Sequence, residues 1–543
     1  MTLKCWRRNA ISILTDIGME ITGKPFFTIR RCNMKQFPKV FLLAALLVAL
    51  FAGGAVAAGP EKGNDNITVV QALDMISFDP VATSDLNNQY VLYNLYSRLF
   101  TFPPNRLAGD VKELCKEFKR VSDTEWHFTI WENVKFHDGS PLTVDDVVYS
   151  LKRAQAGTTI GALFKPVKAI AKVNDNTLSI TTDGPYPSLN SALTHVATCV
   201  VPKSYAEKAE QTKDWSKPIG SGRYKFVSRI IGDSVKFERF DGYFDKKDLA
   251  QNKTVTIKVI PEGSNRTIAI ETNAADLNVE FVPTDYDRVI KNPKLKLWAQ
   301  PSALVWHLGM DNTHVWFKNK LVRQAVAFAV SREDCMKAGH DGRGAVLFNS
   351  ATFAHAPTVL GAIQNPLNMY SFNQEKAKQL MKEAKCPGFK ADLIVFRDEA
   401  RRMAEVVQAQ LAALNIQVNI VNIENAVFPT YIAQHRAPMF ITSWGCYWDP
   451  DMFLARRFSK DGIGGVNRVW YQNDKLDEMI MEGRKNFDET KRIEVYKKVQ
   501  EFLAEESPEV DLYVTQVYAL SNDRLKGVEM TVEKPFNYHK LHY

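Results

Sequence analysis

The sequence predicts an α/β fold divided over at least two lobes, and three observations carry that expectation. The chain has 543 residues, beyond the size at which a single hydrophobic core keeps growing. From Ile67 to about Trp298 short strand-like runs alternate with helical ones, and from there to about residue 510 the pattern is helix-rich with strands interspersed. A hydrophobic content of 45% with 11% aromatics is that of a packed globular protein, which excludes extensive disorder.

Each element has a local reason. Residues 67–73, ITVVQAL, form a first strand that ends before the turn Phe78-Asp79-Pro80, where proline blocks continuation, and a helix is expected over about 86–98. Trp126, Phe128, Ile130 and Trp131 give a strand with a mainly alternating apolar face. Asp138-Gly139 is a turn dipeptide, and Ser140-Pro141 leads into a helix for which Thr143 and Asp146 make a capping box. Val147, Val148 and Leu151 then recur at helical spacing. Further on, strands are expected at 300–312, 391–396, 416–423 and 439–444. The helix over 398–414 puts Met403, Val407, Leu411 and Leu414 on one face, so it should lie against a sheet. Asp488 is placed to cap a last long helix through about Leu503, after which VDLYVTQVYAL returns as a strand. The chain contains no internal repeat, heptad array or low-complexity linker.

The N-terminal stretch reads as a targeting segment. Met34-Lys35-Gln36-Phe37-Pro38-Lys39 is basic, Val40 to Phe51 is uninterrupted apolar, and Ala55-Val56-Ala57 is an A-x-A cleavage signal, so residues 34–58 are expected to be a cleavable signal peptide. Residues 1–33 form an extension that resembles none of its parts, which makes Met34 a candidate start. With no Cys at the cleavage site, a freely soluble periplasmic product is expected rather than a lipoprotein. Removing residues 1–57 leaves 61 basic against 59 acidic side chains, a net charge of +2 in place of +8, so the basicity belongs mostly to the leader and does not support nucleic-acid binding. Five cysteines remain (115, 199, 335, 386 and 446) with no C-x-x-C pair. That odd number leaves both one or two disulfides and a set of scattered buried thiols open.

Four runs occur in a fixed order: DTEWHFTIWENVKFHDGSPLTVDDVVYSLKR at 123–153, PIGSGRYKFVSRIIGDSVKFERFDGYF at 218–244, VRQAVAFAVSRED followed by Gly342-Arg343-Gly344, and YSFNQEKAKQLMKEA with AEVVQAQLAALNIQV at 370–418. The ordered set resembles the large periplasmic solute-binding proteins of ABC importers, family 5, the peptide, nickel and opine class, from about residue 66 to the C-terminus. The resemblance implies a two-lobed periplasmic binding protein fold with an extra N-terminal subdomain. Lobe one would take residues 59–302 plus 512–543, with the subdomain at about 101–200, and lobe two residues 303–511. Two crossover strands, near 299–306 and 509–514, would join them.

The same resemblance implies a monomer without enzymatic activity or cofactor, which captures a solute between its lobes and delivers it to a membrane permease. An oligopeptide or peptide-like molecule is the expected ligand. An opine, an oligosaccharide or a metal chelate is the alternative within the class, and a secreted hydrolase the alternative outside it.

Candidate ligand-binding residues cluster after the third lobe-two strand, in Ser443-Trp444-Gly445-Cys446-Tyr447-Trp448-Asp449-Pro450-Asp451. A strand end opening into a cleft can present Trp444, Tyr447 and Trp448 as stacking surface and Asp449 as a charge. Peptide-binding relatives carry an Asp three residues after the Trp, where this chain has Tyr447, so the customary partner of a ligand α-ammonium is missing. Arg397 ends the strand 391–396 in a position suited to a bidentate hold on a carboxylate. Asn88 and Tyr90 lie near the start of the first helix, where family members line the cleft.

The enzyme signals dissolve on inspection. His137-Asp138 is explained by the D-G turn, Gly220-Ser221-Gly222 lacks the five-residue frame of a nucleophile elbow, and no phosphate loop or H-E-x-x-H occurs. Arg223 stands where the family usually has Pro, which makes that loop more polar than its relatives' loops.

Overall fold

The computed structural model describes residues 65–82, 86–101, 111–157, 161–346, 369–424, 427–445, 449–463, 467–531 and 537–543. The leader assigned above, and Cys446, Tyr447 and Trp448, lie outside them. Among the described residues eleven strands make one sheet. These are β1 (Asn66–Gln71), β2 (Tyr224–Ile230), β3 (Ser234–Arg239), β4 (Thr254–Val259), β5 (Leu277–Asn278), β6 (Leu295–Met310), β7 (Gly344–Val346), β8 (Phe389–Val395), β9 (Ile416–Asn422), β10 (Met439–Gly445) and β11 (Glu509–Asn522). Their order is β9-β8-β10-β6-β11-β5-β1-β4-β3-β2, with β7 added on β11.

Two strands belong to both halves of this sheet. Leu295 to Pro301 of β6 pair with Asn522 to Gln516 of β11, and Val305 to Gly309 pair with Val514 to Glu509. On its other edge β11 passes from β5, at Leu520 and Ser521, to β7, at Tyr513 to Thr515. On its other edge β6 meets β10 only from Leu304 onward. The register breaks between Pro301 and Val305, where the Ser302 and Thr515 hydroxyls lie 2.8 Å apart. The first half of the ladder therefore carries β5, β1, β4, β3 and β2, and the second half β10, β8 and β9.

Local chemistry explains the flanking elements. The Thr143–Asp146 capping box is formed at the helix Val144–Ala156, and Asp488 caps the helix Glu489–Glu506 by accepting from the Lys491 amide. The helix Asp398–Leu411 buries Ala400, Met403, Ala404, Val407 and Leu411 against one sheet face. Strands Cys115–Ser122, Glu125–Ile130, Thr177–Thr182 and Val167–Lys172 form a separate four-stranded sheet. Trp126, Phe128 and Ile130 point into its core and Trp131 is exposed. Met452 also enters that core, and the Phe487 ring lies 5.9 Å from Trp126 and 3.8 Å under the Arg120 guanidinium. Helical segments from the C-terminal third thus pack on this small sheet.

The first helix, α1 (Leu86–Leu95), stops three residues short of the expected end. The Leu95 carbonyl accepts from the Gly222 amide at 2.9 Å, and a Cβ on Gly220 or Gly222 would collide with the Asn94 and Leu95 backbone, so the Gly-Ser-Gly run is a close-packing device. His137 holds the same loop. Its Nδ1 accepts from the Gly220 amide at 3.2 Å and its Nε2 is 3.1 Å from the Gly222 carbonyl, which fixes a neutral ring. Arg223 lies 3.0 Å from Asp248 and 4.9 Å over the Tyr243 ring, so the departure from Pro is absorbed inside the protein. The four described cysteines are buried free thiols.

An ionic cluster sits under the second half of the ladder. Arg457 pairs with Glu509 and lies 4.0 Å from Asp511, His307 is 3.9 Å from Glu509, and all four side chains are buried. Two carboxylates face one guanidinium, and His307 stays neutral because burial, aided by Arg457, holds it well below its ordinary value. Burial first, and then the Asp511 carboxylate against the opposing pull of Arg457, leaves Glu509 raised to about 8.

This arrangement fixes a pH profile. Burial lowers His137, His195 and His539 to about 4 from 6.5, so each contributes stability above pH 6.5 that is lost as pH falls towards 4. The Glu509 contribution is complete below its ordinary value of 4.5 and is lost as pH rises through about 8. Unfolding free energy measured with guanidinium chloride is expected to peak near about pH 7 and to fall by about 1 kcal/mol towards pH 9. Glu509→Gln should flatten the alkaline limb; an unchanged limb in that variant would remove Glu509 as its cause.

Candidate functional site

β10 ends beside the register break, with Trp444 paired to Val305 and Gly445 to Leu304. β8 lies parallel to β10 on its other side, so the carboxyl ends of both strands open at the crossing. This is where open α/β sheets hold ligands. Trp444 is half-buried there, with the Arg468 guanidinium 5.0 Å from its ring; Arg468 also lies 5.3 Å from the Phe428 ring. Phe428 packs 4.7 Å from Phe396 and 5.6 Å from Phe440. Arg397 follows Phe396 directly, is exposed at the start of the helix Asp398–Leu411, and lies 5.8 Å from the Phe396 ring. Phe396, Trp444, Arg397 and Arg468 thus lie around one set of strand ends, with the buried Phe428 ring packed against Phe396 beneath them.

Asp449 is placed differently from the expectation. It caps the helix Pro450–Phe458, accepting from the Asp451 amide at 2.9 Å, and both its oxygens are held by Arg492 at 2.8 and 3.1 Å. It is 4% exposed, so its charge is spent on Arg492 rather than offered to a cleft. Burial works against the Arg492 charge, but the Asp449 carboxylate outweighs it and holds the guanidinium above its ordinary value. Asp451 makes the equivalent anchor with Arg484 at 2.9 Å. The first turn of this helix is therefore fastened to the helices Asp474–Lys485 and Glu489–Glu506 by two ion pairs, one buried and one partly exposed at Arg484.

Asn88 and Tyr90 also turn inward. Asn88 is fully buried, accepts from the Ile76 amide and donates to the Ser77 carbonyl, so it fixes the turn after β1. Tyr90 is 1% exposed in the main core. Of the predicted residues, then, Trp444 and Arg397 lie at the carboxyl ends of neighbouring strands, and Tyr447 and Trp448 lie outside the described residues. Arg468, Phe396 and Phe428 were missed: they sit on three separate elements, and no spacing or motif links them. Among the described residues no three His, Cys, Asp or Glu side chains are grouped to hold a metal ion, and no helix is long and apolar enough to cross a membrane.

Two lobes sharing a pair of crossover strands, with strand ends opening beside the crossing, are the arrangement of proteins that close on a solute. The chain belongs to the bacterial extracellular solute-binding proteins, family 5, whose middle region matches residues 111–465. It is 25% identical over 517 residues to the glutathione-binding protein GsiB of Salmonella typhi, covering 92% of this chain and 98% of that one. It is 28% identical over 462 residues to the oligopeptide-binding protein AppA of Bacillus subtilis, covering 78% and 80% respectively. The structure of HbpA2 from Haemophilus parasuis superposes with a TM-score of 0.79 at 24% identity, over 88% of this chain and 99% of that one.

The Asp449–Arg492 pair makes a sharp expectation. Removing one partner of a buried pair strands the other charge, so Asp449→Ala is expected to cost about 3 to 5 kcal/mol in urea unfolding, and adding Arg492→Met should recover much of that loss. An unchanged unfolding midpoint together with weakened solute binding would return Asp449 to the ligand.

Proposed function

We propose that this protein is the periplasmic substrate-binding component of an ABC importer, capturing an oligopeptide or peptide-like solute between its lobes and delivering it to a membrane permease. Family membership supports the solute-binding role, and the names of two relatives, one binding glutathione and the other oligopeptides, point to peptides. The observation that carries the substrate class is the exposed Arg397 beside Phe396 at a strand end facing Trp444's strand. A guanidinium so placed suits a free carboxylate, and Trp444, with Tyr447 and Trp448 next in the sequence, suits the apolar body of a peptide-like solute. Asp449, being engaged by Arg492, does not serve a ligand ammonium. The protein performs no covalent step in this reading. Closure of the lobes about β6 and β11 encloses the solute, driven by contacts that exist only in the closed state.

Calorimetric titration with glutathione and with a free tripeptide tests the class. Trp444→Ala is expected to weaken binding by roughly 1 to 3 kcal/mol, the value of burying a large aromatic. Arg397→Gln should cost roughly 1.5 to 3 kcal/mol for a free carboxylate and little for the C-terminal amide of the same peptide. The radius of gyration from solution scattering should fall at saturation. Absence of heat with either probe, alongside a non-peptide solute co-purifying in native mass spectrometry, would overturn the peptide assignment.

Export is the second part of the proposal, and it rests on the basic, apolar and A-x-A segments of residues 34–58. Intact mass of periplasmic material is expected to begin after Ala57 or Ala58. A product that retains Val40 to Phe51 and sediments with membranes would contradict it.

A further inference from the structure

Two inserts that belong to opposite halves of the sheet are packed against each other away from the ladder. Residues 111–200, which carry the small four-stranded sheet, are inserted between β1 and β2 of the first half. Residues 446–508 are inserted between β10 and β11, at their second-half ends. The small-sheet insert is tied to its own half where the chain leaves β1 and where it returns to β2. Arg153 lies 3.1 Å from Asp79, Glu113 lies 3.5 Å from Arg223, and His137 holds the Gly220–Gly222 loop. The other insert is tied to the second half: Arg457 pairs with Glu509, Asn312 beyond β6 donates to the Val469 and Pro508 carbonyls at 2.9 Å each, and Arg323 donates to the Glu506 carbonyl at 2.7 Å.

Across the seam between the inserts the contact is core-like. Met452 is 3% exposed inside the core of the small sheet. Arg120 and Trp126 are cross-strand partners there, and together they make a seat for the half-buried Phe487, whose ring lies 5.9 Å from Trp126 and 3.8 Å from the Arg120 guanidinium. Burial, and next the Asp451 and Asp449 carboxylates across the seam, hold the Tyr186 hydroxyl of the small-sheet insert above its ordinary value. Each insert moves with the half to which it is tied. If the halves turn about the register break between Pro301 and Val305, Met452 has to leave a core and Phe487 its seat. None of Arg120, Trp126, Met452 and Phe487 belongs to the strand-end surface of Trp444 and Arg397, so the contact needs no solute to form.

We propose that Met452 and Phe487, seated on the small sheet at Trp126 and Arg120, form a latch that holds the two halves together, so that a share of the molecules is closed before any solute arrives. This rests on the lobe-closing reading above. A solute that meets molecules already closed does not have to supply the whole free energy of closure, so the latch raises affinity without touching the solute and without regard to its chemistry. Arg120 and Trp126 are fixed across a strand pair, which lowers the ordering cost of seating Phe487.

Solution scattering tests this without knowledge of the solute. The mature chain, freed of bound solute by unfolding in guanidinium chloride and refolding, is expected to have a larger radius of gyration as Arg120→Ala/Phe487→Ala than as wild type, with the circular dichroism spectrum unchanged. Calorimetry reads the linked effect: the double variant should bind glutathione and a free tripeptide more weakly by one common factor, roughly three- to tenfold, because each probe must recover the lost share of closed molecules. Arg120→Ala alone, at a side chain 43% exposed, should change the radius in the same direction by less, and keeps the test decisive if the double variant fails to fold. An unchanged radius in the folded variants, or affinity losses that differ between the two probes, would overturn the latch while peptide binding stands. A larger radius with neither probe bound by the wild type would support the latch and overturn the peptide reading instead.

Discussion

The antiparallel ladder between β6 and β11 is the constraint on which the rest of the structure depends. Sixteen and fourteen residues long, these strands are the spine to which both halves of the sheet attach. Because a strand alternates its side chains, one ladder can feed cores on both faces along its whole length. Trp306 and Leu308 enter the core beneath the helix Asp398–Leu411, whereas His307 lies in the ionic cluster with Glu509 and Arg457. A one-residue slip in register would exchange these two sets, driving charge into an apolar core. The charged cluster therefore helps to specify the register, although it stabilises less than its number of charges suggests.

The candidate recognition loop is defined by what fixes its two ends. Trp444 and Gly445 are held in the sheet against Val305 and Leu304. On the far side, Asp449 and Asp451 anchor the helix Pro450–Phe458 through Arg492 and Arg484. Residues 446–448, which lie outside the described residues, fall between these two anchored elements in the chain. The same anchoring explains why an acid in a plausible ligand position is unavailable: its charge is required to hold the site together.

What was legible in the sequence was local. The Thr143 capping box, the Met403–Val407–Leu411 face and the Asp488 cap depend on residues three or four apart, and all three are present. The strand-end positions of Arg397 and Trp444 were legible because each comes at the close of a short apolar run. Asp449 was not, since its partner lies 43 residues away and nothing in an Asp-Pro dipeptide distinguishes a ligand contact from a helix cap. Asn88 and Tyr90 misled for a different reason. Polar residues in a helix suggest a solvated or cleft-facing side, but residues 87–95 are buried throughout, with Asn88 spent on the backbone of the preceding turn. Arg468 became visible only once the aromatic rings from separate elements had been brought around it.

The register break also bears on how the lobes can move. Ser302 to Leu304 of β6 lie opposite Thr515 alone, and Pro301 carries no amide hydrogen to donate. On its other edge β11 is paired with β7 at Tyr513 to Thr515 and with β5 at Leu520 and Ser521, so the gap between those partners, residues 516–519, begins next to the break. Bending the two strands at this point breaks few ladder hydrogen bonds, because the ladder is already interrupted, whereas bending anywhere else would cost several. The Ser302–Thr515 hydroxyl contact ties the strands across the gap without fixing their angle. A hinge at this break would lie beside Val305, the partner of Trp444, so in the proposed binding role a solute held at Trp444 would bear on the strand segment next to the hinge.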